Sequence, residues 1–400
     1  MKSETTGNKS ARFLRSWGVN IAFIALGCLL ALALLEISLR IFWRPELAAW
    51  QRNLDVIIPL DPNVTTGVAG PAHVRTNSAG IRGDEWSPDR SSEYRILTLG
   101  ASDTRCLLQD QPNTWPALLQ TRLSTTQDRR GVWVGNAGGG GYNSHHVVLA
   151  MRFMLDQYDP DAVVILLGGN EAALALNQGL DYDPNFIYNE EKMRKLALDF
   201  NERPVALAGT AGPSVRNLFL WMFLKDFQDQ FFDSTSARGM VDNVASVRAN
   251  QEKRRQATRI VDEMPDIQMG LAGFHTDLLE MIRLAHEHHV HLVLMTTPSI
   301  YKAHMTQDET NRLWAGWYLN DQRSNAYWSS RVMAEATEAA NQVLLKTCQE
   351  EVVDCIDLAS LLPKSTDIFW DQAHFTDTGS SRVADELVKY FEDYFARTQK

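Results

Sequence analysis

Tyr94-Arg95-Ile96-Leu97-Thr98-Leu99-Gly100-Ala101-Ser102-Asp103 is a short apolar run, Ile96 to Leu99, that stops at a Gly-X-Ser turn. Its length and side chains are those of a buried strand. Downstream, Thr114-Trp115-Pro116 reads as a helix cap followed by proline in the first turn. A serine at the carboxyl end of a parallel strand faces the crevice in which open α/β sheets bind their ligands. Taken alone, a serine after such a turn is more often an ordinary strand-to-helix connection.

Working outward, short β-rich runs alternate with helical ones. Strands are expected at 95–99, 132–135 and 162–167, with helices at 114–126 and 144–157 between them. The alternation resumes with a helix at 271–289, a strand at 291–296, a helix at 329–348, a strand at 352–356 and a last helix at 377–396. This pattern predicts an α/β fold with a doubly wound, five-stranded parallel sheet. Residues from about 172 to 267 interrupt it. They hold the apolar run Leu218 to Leu224 and then a mixed-charge stretch through Arg248, Lys253, Arg254 and Arg255. They read as an inserted helical subdomain whose apolar run is its own core, or as a lid that shapes an acyl or glycan site.

Three further stretches bear on Ser102. Asn136-Ala137-Gly138-Gly139-Gly140-Gly141-Tyr142 follows the second strand, Val163 to Leu167 runs into Gly168-Gly169-Asn170-Glu171, and Asp371-Gln372-Ala373-His374 precedes the last helix. Serine, glycine, asparagine and an Asp-x-x-His pair in this order resemble the four blocks of the SGNH (GDSL-type) hydrolase superfamily, over roughly residues 92 to 398. The resemblance implies a flavodoxin-like SGNH fold and a serine hydrolase that needs no cofactor or metal. A serine hydroxyl needs a base within hydrogen-bond reach. The resemblance gives that role to His374, with Asp371 fixing its tautomer, and builds an oxyanion hole from the backbone N–H of Ser102, the N–H of Gly141 and the side-chain amide of Asn170. Two positions depart from the family pattern: Ala101 stands where aspartate usually precedes the serine, and Glu171 where aspartate often follows the asparagine.

The implied substrate is an ester, with O-acyl (acetyl) groups on an exported or cell-surface polysaccharide as the first choice. Transfer of the acyl group to another sugar uses the same residues as hydrolysis. The competing readings are a lipase or thioesterase acting on membrane lipids, and a glycan-binding or assembly protein that keeps the fold without its activity.

Two other clusters point elsewhere. His286, His288, His289 and His291 straddle a helix end and a strand start, so they cannot share one face as metal ligands would. Gly138 to Gly141 could cradle a phosphate, but the lysine and threonine of a P-loop and the spacing of a dinucleotide site are both missing. His145 and His146, at the following helix start, read as packing or surface residues.

The N-terminus is organised differently. Residues 1–16 carry Lys2, Lys9, Arg12 and Arg15 against one acidic residue, Glu4, and Val19 to Leu35 then holds a single polar residue, Asn20. Trp17 and Trp43 suit the two interfaces of a membrane. The expected organisation is a cytoplasmic 1–16, a transmembrane anchor at 17–38, a juxtamembrane connector at 39–91 and an extracytoplasmic hydrolase-like domain at 92–400. A cleaved signal peptide is the alternative, and the basic flank sets the orientation. Within the connector, Thr76-Asn77-Ser78-Ala79-Gly80-Ile81-Arg82-Gly83 is similar to a stretch in membrane-anchored members of the superfamily and reads as a turn packed on the main domain. The net charge of −10 argues against nucleic acid as a partner. Cys348 and Cys355 either form a disulfide, as an oxidising compartment allows, or are two small buried residues.

Overall fold

The computed structural model describes residues 7–42, 49–124, 131–181, 183, 220, 223–224, 239–319 and 325–398. In chain order these form α1 (Gly7–Phe42), β1 (Asp55–Ile58), β2 (Ala72–Arg75), β3 (Glu93–Gly100), α2 (Ser102–Arg105), α3 (Trp115–Ser124), β4 (Gly131–Asn136), α4 (Ser144–Tyr158), β5 (Ala162–Leu167) and α5 (Gly169–Gln178). They continue as α6 (Asn243–Arg255), β6 (Arg259–Val261), α7 (Gln268–Glu287), β7 (His291–Thr296), α8 (Gln307–Arg312), β8 (Ala326–Trp328), α9 (Ser330–Glu351), β9 (Asp354–Ile356), α10 (Leu358–Leu361) and α11 (Asp377–Thr398).

The main sheet is five-stranded and wholly parallel, in the order β4-β3-β5-β7-β9. Its central strand, β5, is Ala-Val-Val-Ile-Leu-Leu, and every residue is buried. Such a continuous apolar run suits a strand covered on both faces. One helical layer pairs α3 with α11, and the other joins α4, α5, α7 and α9. From β3 the chain steps out to β4 and then returns past β3 to β5. That reversal opens a crevice at the carboxyl ends of β3 and β5, the switch point of a doubly wound sheet.

The expected strands at 162–167 and 291–296 fall on β5 and β7 residue for residue. The last strand starts later than expected, at Asp354, because α9 runs on to Glu351 and closes through Val352 in the left-handed conformation (φ +56°). Cys348 and Cys355, 6.2 Å apart between Cα atoms, are bridged across this corner.

Gly100 ends β3 at φ +145°. A Cβ there would lie 2.4 Å from Thr104 Oγ1 and 2.6 Å from the Leu166 carbonyl oxygen, so no side chain fits where the serine turn is pressed against β5.

Residues 49–92 pack onto the main domain. β1 and β2 form an antiparallel hairpin. Trp50, Leu54, Ile58 and Val74 share an apolar cluster with Val244 and Val247 of α6 and with Trp370. The stretch expected as an insertion starts inside α5, includes α6 and β6, and ends just before α7. Its apolar run, apart from Leu220, Phe223 and Leu224, lies outside the described residues, as do Trp43 and the side chain of Trp17. Within α1, Phe23–Phe42 has a mean hydropathy of 2.2 and is long and apolar enough to cross a membrane, and none of it is buried in the protein.

Candidate active site

Ser102 is the first residue of α2, a single helical turn that Cys106 closes in the left-handed conformation. The turn is fixed from outside by Arg82. This guanidinium, 1% exposed, donates from Nη1 to the carbonyls of Arg105 (3.0 Å) and Cys106 (2.7 Å), from Nη2 to that of Gln109 (2.7 Å), and from Nε to Gln111 Oε1 (2.8 Å). Arg82 itself is held by two backbone hydrogen bonds exchanged with Asn136. The Thr76–Gly83 stretch is therefore a clamp on the loop that follows Ser102. Burial lowers the Arg82 pKa to about 10, which leaves it charged at neutral pH.

His374 reaches the same crevice from the loop before α11, where Trp370 N donates to the His374 carbonyl (3.1 Å). His374 Nε2 lies 2.8 Å from Ser102 Oγ, and His374 Nδ1 lies 2.6 Å from Asp371 Oδ2. Asp371 is fully buried and saturated with donors: Ala373 N (2.9 Å) and His374 N (2.8 Å) to Oδ1, and Trp314 Nε1 (2.6 Å) to Oδ2. A carboxylate facing Nδ1 selects the tautomer with its proton there, which leaves Nε2 to accept from the Ser102 hydroxyl. The imidazole is flanked by the rings of Trp370 and Trp314, with centroids at 5.1 and 6.1 Å and planes within 17° and 7° of parallel. Burial disfavours the imidazolium, but Asp371, by charge and hydrogen bond, and Asp103 outweigh it, so the pKa of His374 is raised.

The glycine run lies across the crevice from His374. Gly138 N donates to Asn136 Oδ1 (3.0 Å) and Gly139 N to the Gly100 carbonyl (3.0 Å). Those two N–H groups are thus committed internally, while Gly140 and Gly141 line the cavity. Gly141 adopts φ +74° with open space around it. Asn170, at the start of α5, donates one amide hydrogen to the Tyr142 carbonyl (2.6 Å) and also lines the cavity. Of the five residues expected from the sequence, Ser102, Gly141, Asn170 and His374 thus line one cavity, and Asp371 lies buried behind His374.

Sequence reasoning missed three contributors. Asp103, beside the serine, is buried, and its pKa is pushed up to about 6 by that burial, against the pull of His374 and of nearby backbone N–H groups. Trp314 holds Asp371, and Arg82 holds the serine turn. Only Arg82 left a trace in the sequence, as part of a similar stretch without a mechanism. The histidines at 286–291 lie at the amino end of β7, away from the crevice, where His291 Nε2 is 2.6 Å from the Tyr390 hydroxyl. Among the described residues no group of three His, Cys, Asp or Glu side chains could hold a metal ion. His146 is buried in a capping box with Asn143, and desolvation lowers its pKa to about 4. Glu171 accepts from Gly168 N (2.9 Å), and burial raises its pKa to about 7.

The cavity measures about 490 Å³. Beside the serine and histidine it is walled by Trp314, Trp317 and Trp370, by the amides of Asn177, Asn243 and Asn250, and by Leu107, Leu108 and Leu319. Asn243 and Asn250 project from one face of α6. That helix is tied to the tryptophan loop by Arg254, which donates to the carbonyls of Ala315 and of Trp328 (3.3 Å) and lies over the Tyr327 ring.

Residues 97–382 match the sequence profile of the GDSL-like lipase/acylhydrolase family. No curated protein matches the chain in sequence. Similar solved structures include an acetyl xylan esterase, AlAXEase, at 13% identity and TM-score 0.38, covering 74% of this chain and 98% of the other. Another is the psychrotrophic esterase EstA from Pseudoalteromonas sp., at 11% identity and TM-score 0.39, covering 76% of this chain and 98% of that one. A third is the lipase/acylhydrolase from Enterococcus faecalis, at 13% identity and TM-score 0.37, covering 75% and 96%.

Proposed function

The chain belongs to the GDSL-like lipase/acylhydrolase family and acts on ester bonds; on that premise we propose that it is a membrane-anchored serine esterase. Its substrate is an O-acylated, in the first place O-acetylated, exported or cell-surface polysaccharide. Ser102 Oγ bonds to the acyl carbon as its proton passes to His374 Nε2. The tetrahedral oxyanion is held by the N–H groups of Ser102 and Gly141 and the amide of Asn170, each worth on the order of 3 kcal/mol. Collapse of the intermediate breaks the acyl–oxygen bond, and the sugar oxygen leaves with the proton from His374. Water then attacks the acyl-enzyme, gives its proton to His374, and the acid departs as Ser102 Oγ recovers its hydrogen. A second sugar hydroxyl in place of water turns hydrolysis into transfer.

The observation that carries the glycan reading is the cavity wall. Indole rings at Trp314 and Trp317 offer flat apolar faces for the C–H side of a pyranose, and amides at Asn243 and Asn250 suit its hydroxyls. Acetylated oligosaccharides should therefore be cleaved with a kcat/KM about fivefold or more above that of an acetylated monosaccharide, one aromatic contact being worth about 1 kcal/mol. Released acetate, measured with detergent-solubilised full-length protein, checks this. Faster turnover of long-chain lipid esters than of any glycan ester would replace this reading with the lipase one.

The anchor proposal rests on the apolar, unburied Phe23–Phe42 segment and on the basic residues before it. The bridged Cys348–Cys355 pair suits an oxidising compartment outside the cytoplasm. We expect a tag after Lys400 to be digested by external protease in intact spheroplasts, with a tag before Met1 protected. Release of a soluble protein with a shortened N-terminus would mean a cleaved signal peptide instead.

A further inference from the structure

Arg105, only partly buried, differs from the buried guanidinium groups of Arg82, at the serine turn, and Arg95, at the amino end of β3. Arg82 spends its donors on three carbonyls and an amide, and Arg95 pairs with Glu93 at 3.0 Å. Among the described residues Arg105 has neither a side-chain hydrogen bond nor a carboxylate partner. Its guanidinium lies over the Trp50 ring at 4.7 Å from the centroid and against Gly140, where a Cβ would come within 2.8 Å of Arg105 Nη1. Arg105, Gly140 and Gly141 all line the cavity that holds Ser102. Burial depresses the Arg105 pKa, and of the surrounding ionisable groups only the Tyr142 phenol offsets this.

A partly buried cation without a counter-charge is poorly solvated on its buried side, and contact with one aromatic face recovers only part of that loss. Trp50 and the glycine run hold the guanidinium by its face and stem, which leaves N–H groups uncommitted beside the oxyanion donors. We infer that Arg105 is an anion-binding subsite of the active-site cavity, and that the acyl group removed is carried by an acidic saccharide whose oxyanion substituent, a carboxylate or a phosphate, pairs with the guanidinium. Arginine suits both, because its planar donors match either group in a two-point contact. This inference rests on the glycan esterase reading and narrows its substrate class.

The test compares three acetylated substrates with full-length protein: a galacturonate oligomer, a hexose oligomer bearing phosphate, and a neutral xylose oligomer. We expect kcat/KM to be about 10- to 100-fold higher on an acidic oligomer than on the neutral one, the range for a charged hydrogen-bonded pair. Whichever acidic oligomer is preferred identifies the source of the charge. Arg105→Gln should collapse that ratio towards one, chiefly through KM, while Arg105→Lys restores part of it.

Labelling of Ser102 by an uncharged fluorophosphonate separates binding from support of the turn. If Arg105→Gln slows labelling as much as it slows cleavage of the acidic oligomer, the residue merely props the nucleophile and the inference fails. Equal cleavage of acidic and neutral oligomers by the wild type overturns the anion subsite and leaves the glycan reading standing. Cleavage of none of the three, with Ser102 still labelled, overturns both.

Discussion

Ser102→Ala should remove ester hydrolysis and all fluorophosphonate labelling, and Asp371→Asn should lower kcat about 10⁴-fold with the fold intact. The reason is the hydrogen-bond chain. His374 Nδ1 faces Asp371 Oδ2 at 2.6 Å, and Nε2 faces Ser102 Oγ at 2.8 Å. An asparagine amide would donate towards Nδ1 and move the imidazole proton to Nε2, the atom that must accept from serine. The same change alters the pH profile. The base works only when neutral, and its pKa lies above the ordinary histidine value because Asp371 and Asp103 together outweigh burial. Wild-type activity should therefore fall as pH drops through a pKa above that of an ordinary histidine. In Asp371→Asn the residual activity should persist to lower pH, since burial then dominates. Initial rates across pH, measured for both proteins, decide the matter. An acid limb that stays in place in the mutant would mean that another group titrates there.

Arg82→Met should be the most destabilising of the substitutions considered, at about 3–5 kcal/mol. It strands the Gln109 carbonyl, takes a donor from the partly buried Gln111 side chain, and leaves the carbonyls of Arg105 and Cys106 with only Asn136 Nδ2 (3.5 Å) and Gln109 N (3.0 Å), and each unsatisfied buried group costs about 1–3 kcal/mol before relaxation. For a domain of this size that corresponds to roughly a 10 °C fall in Tm. Arg82→Lys should recover little, because one ammonium cannot reach acceptors spread around a planar fork. Since three of the four acceptors follow Ser102 within seven residues, fluorophosphonate labelling should slow at temperatures where the mutant is still folded. Thermal melting of the solubilised protein is the check, and a midpoint within a degree of the wild type would show that water or rearranged neighbours satisfy the loop without Arg82.

The core strands were legible because each is a buried apolar run bounded by glycine or polar residues, a pattern that nothing later in the chain overrides. Val352 shows the limit: a β-branched residue before a strand reads as part of it, yet here it closes α9 in the left-handed conformation. The candidate site was legible as an order of residues along the chain, since serine, glycine, asparagine and the Asp-x-x-His pair each follow a strand or precede a helix. Asp103, Trp314 and Arg82 were not, because their significance lies in partners distant in sequence. Trp314 reaches across 57 positions to Asp371, and Arg82 across 23 or more to the serine loop.

By itself, then, the sequence determined the alternation of strands and helices, the parallel sheet, the apolar N-terminal segment and the residue types available for ester chemistry. These follow from local periodicity, turn chemistry and composition, which act over a few neighbouring positions. The tertiary structure alone decided which glycine N–H groups bond within the protein, that the stretch before β3 clamps the serine turn, that Cys348 and Cys355 are joined, and that Arg105 stands in the cavity without a carboxylate among the described residues. Each of these depends on which groups meet after the chain has crossed back over its own sheet. Hydrogen bonds and charges reach only a few ångströms, so such meetings are set by the fold.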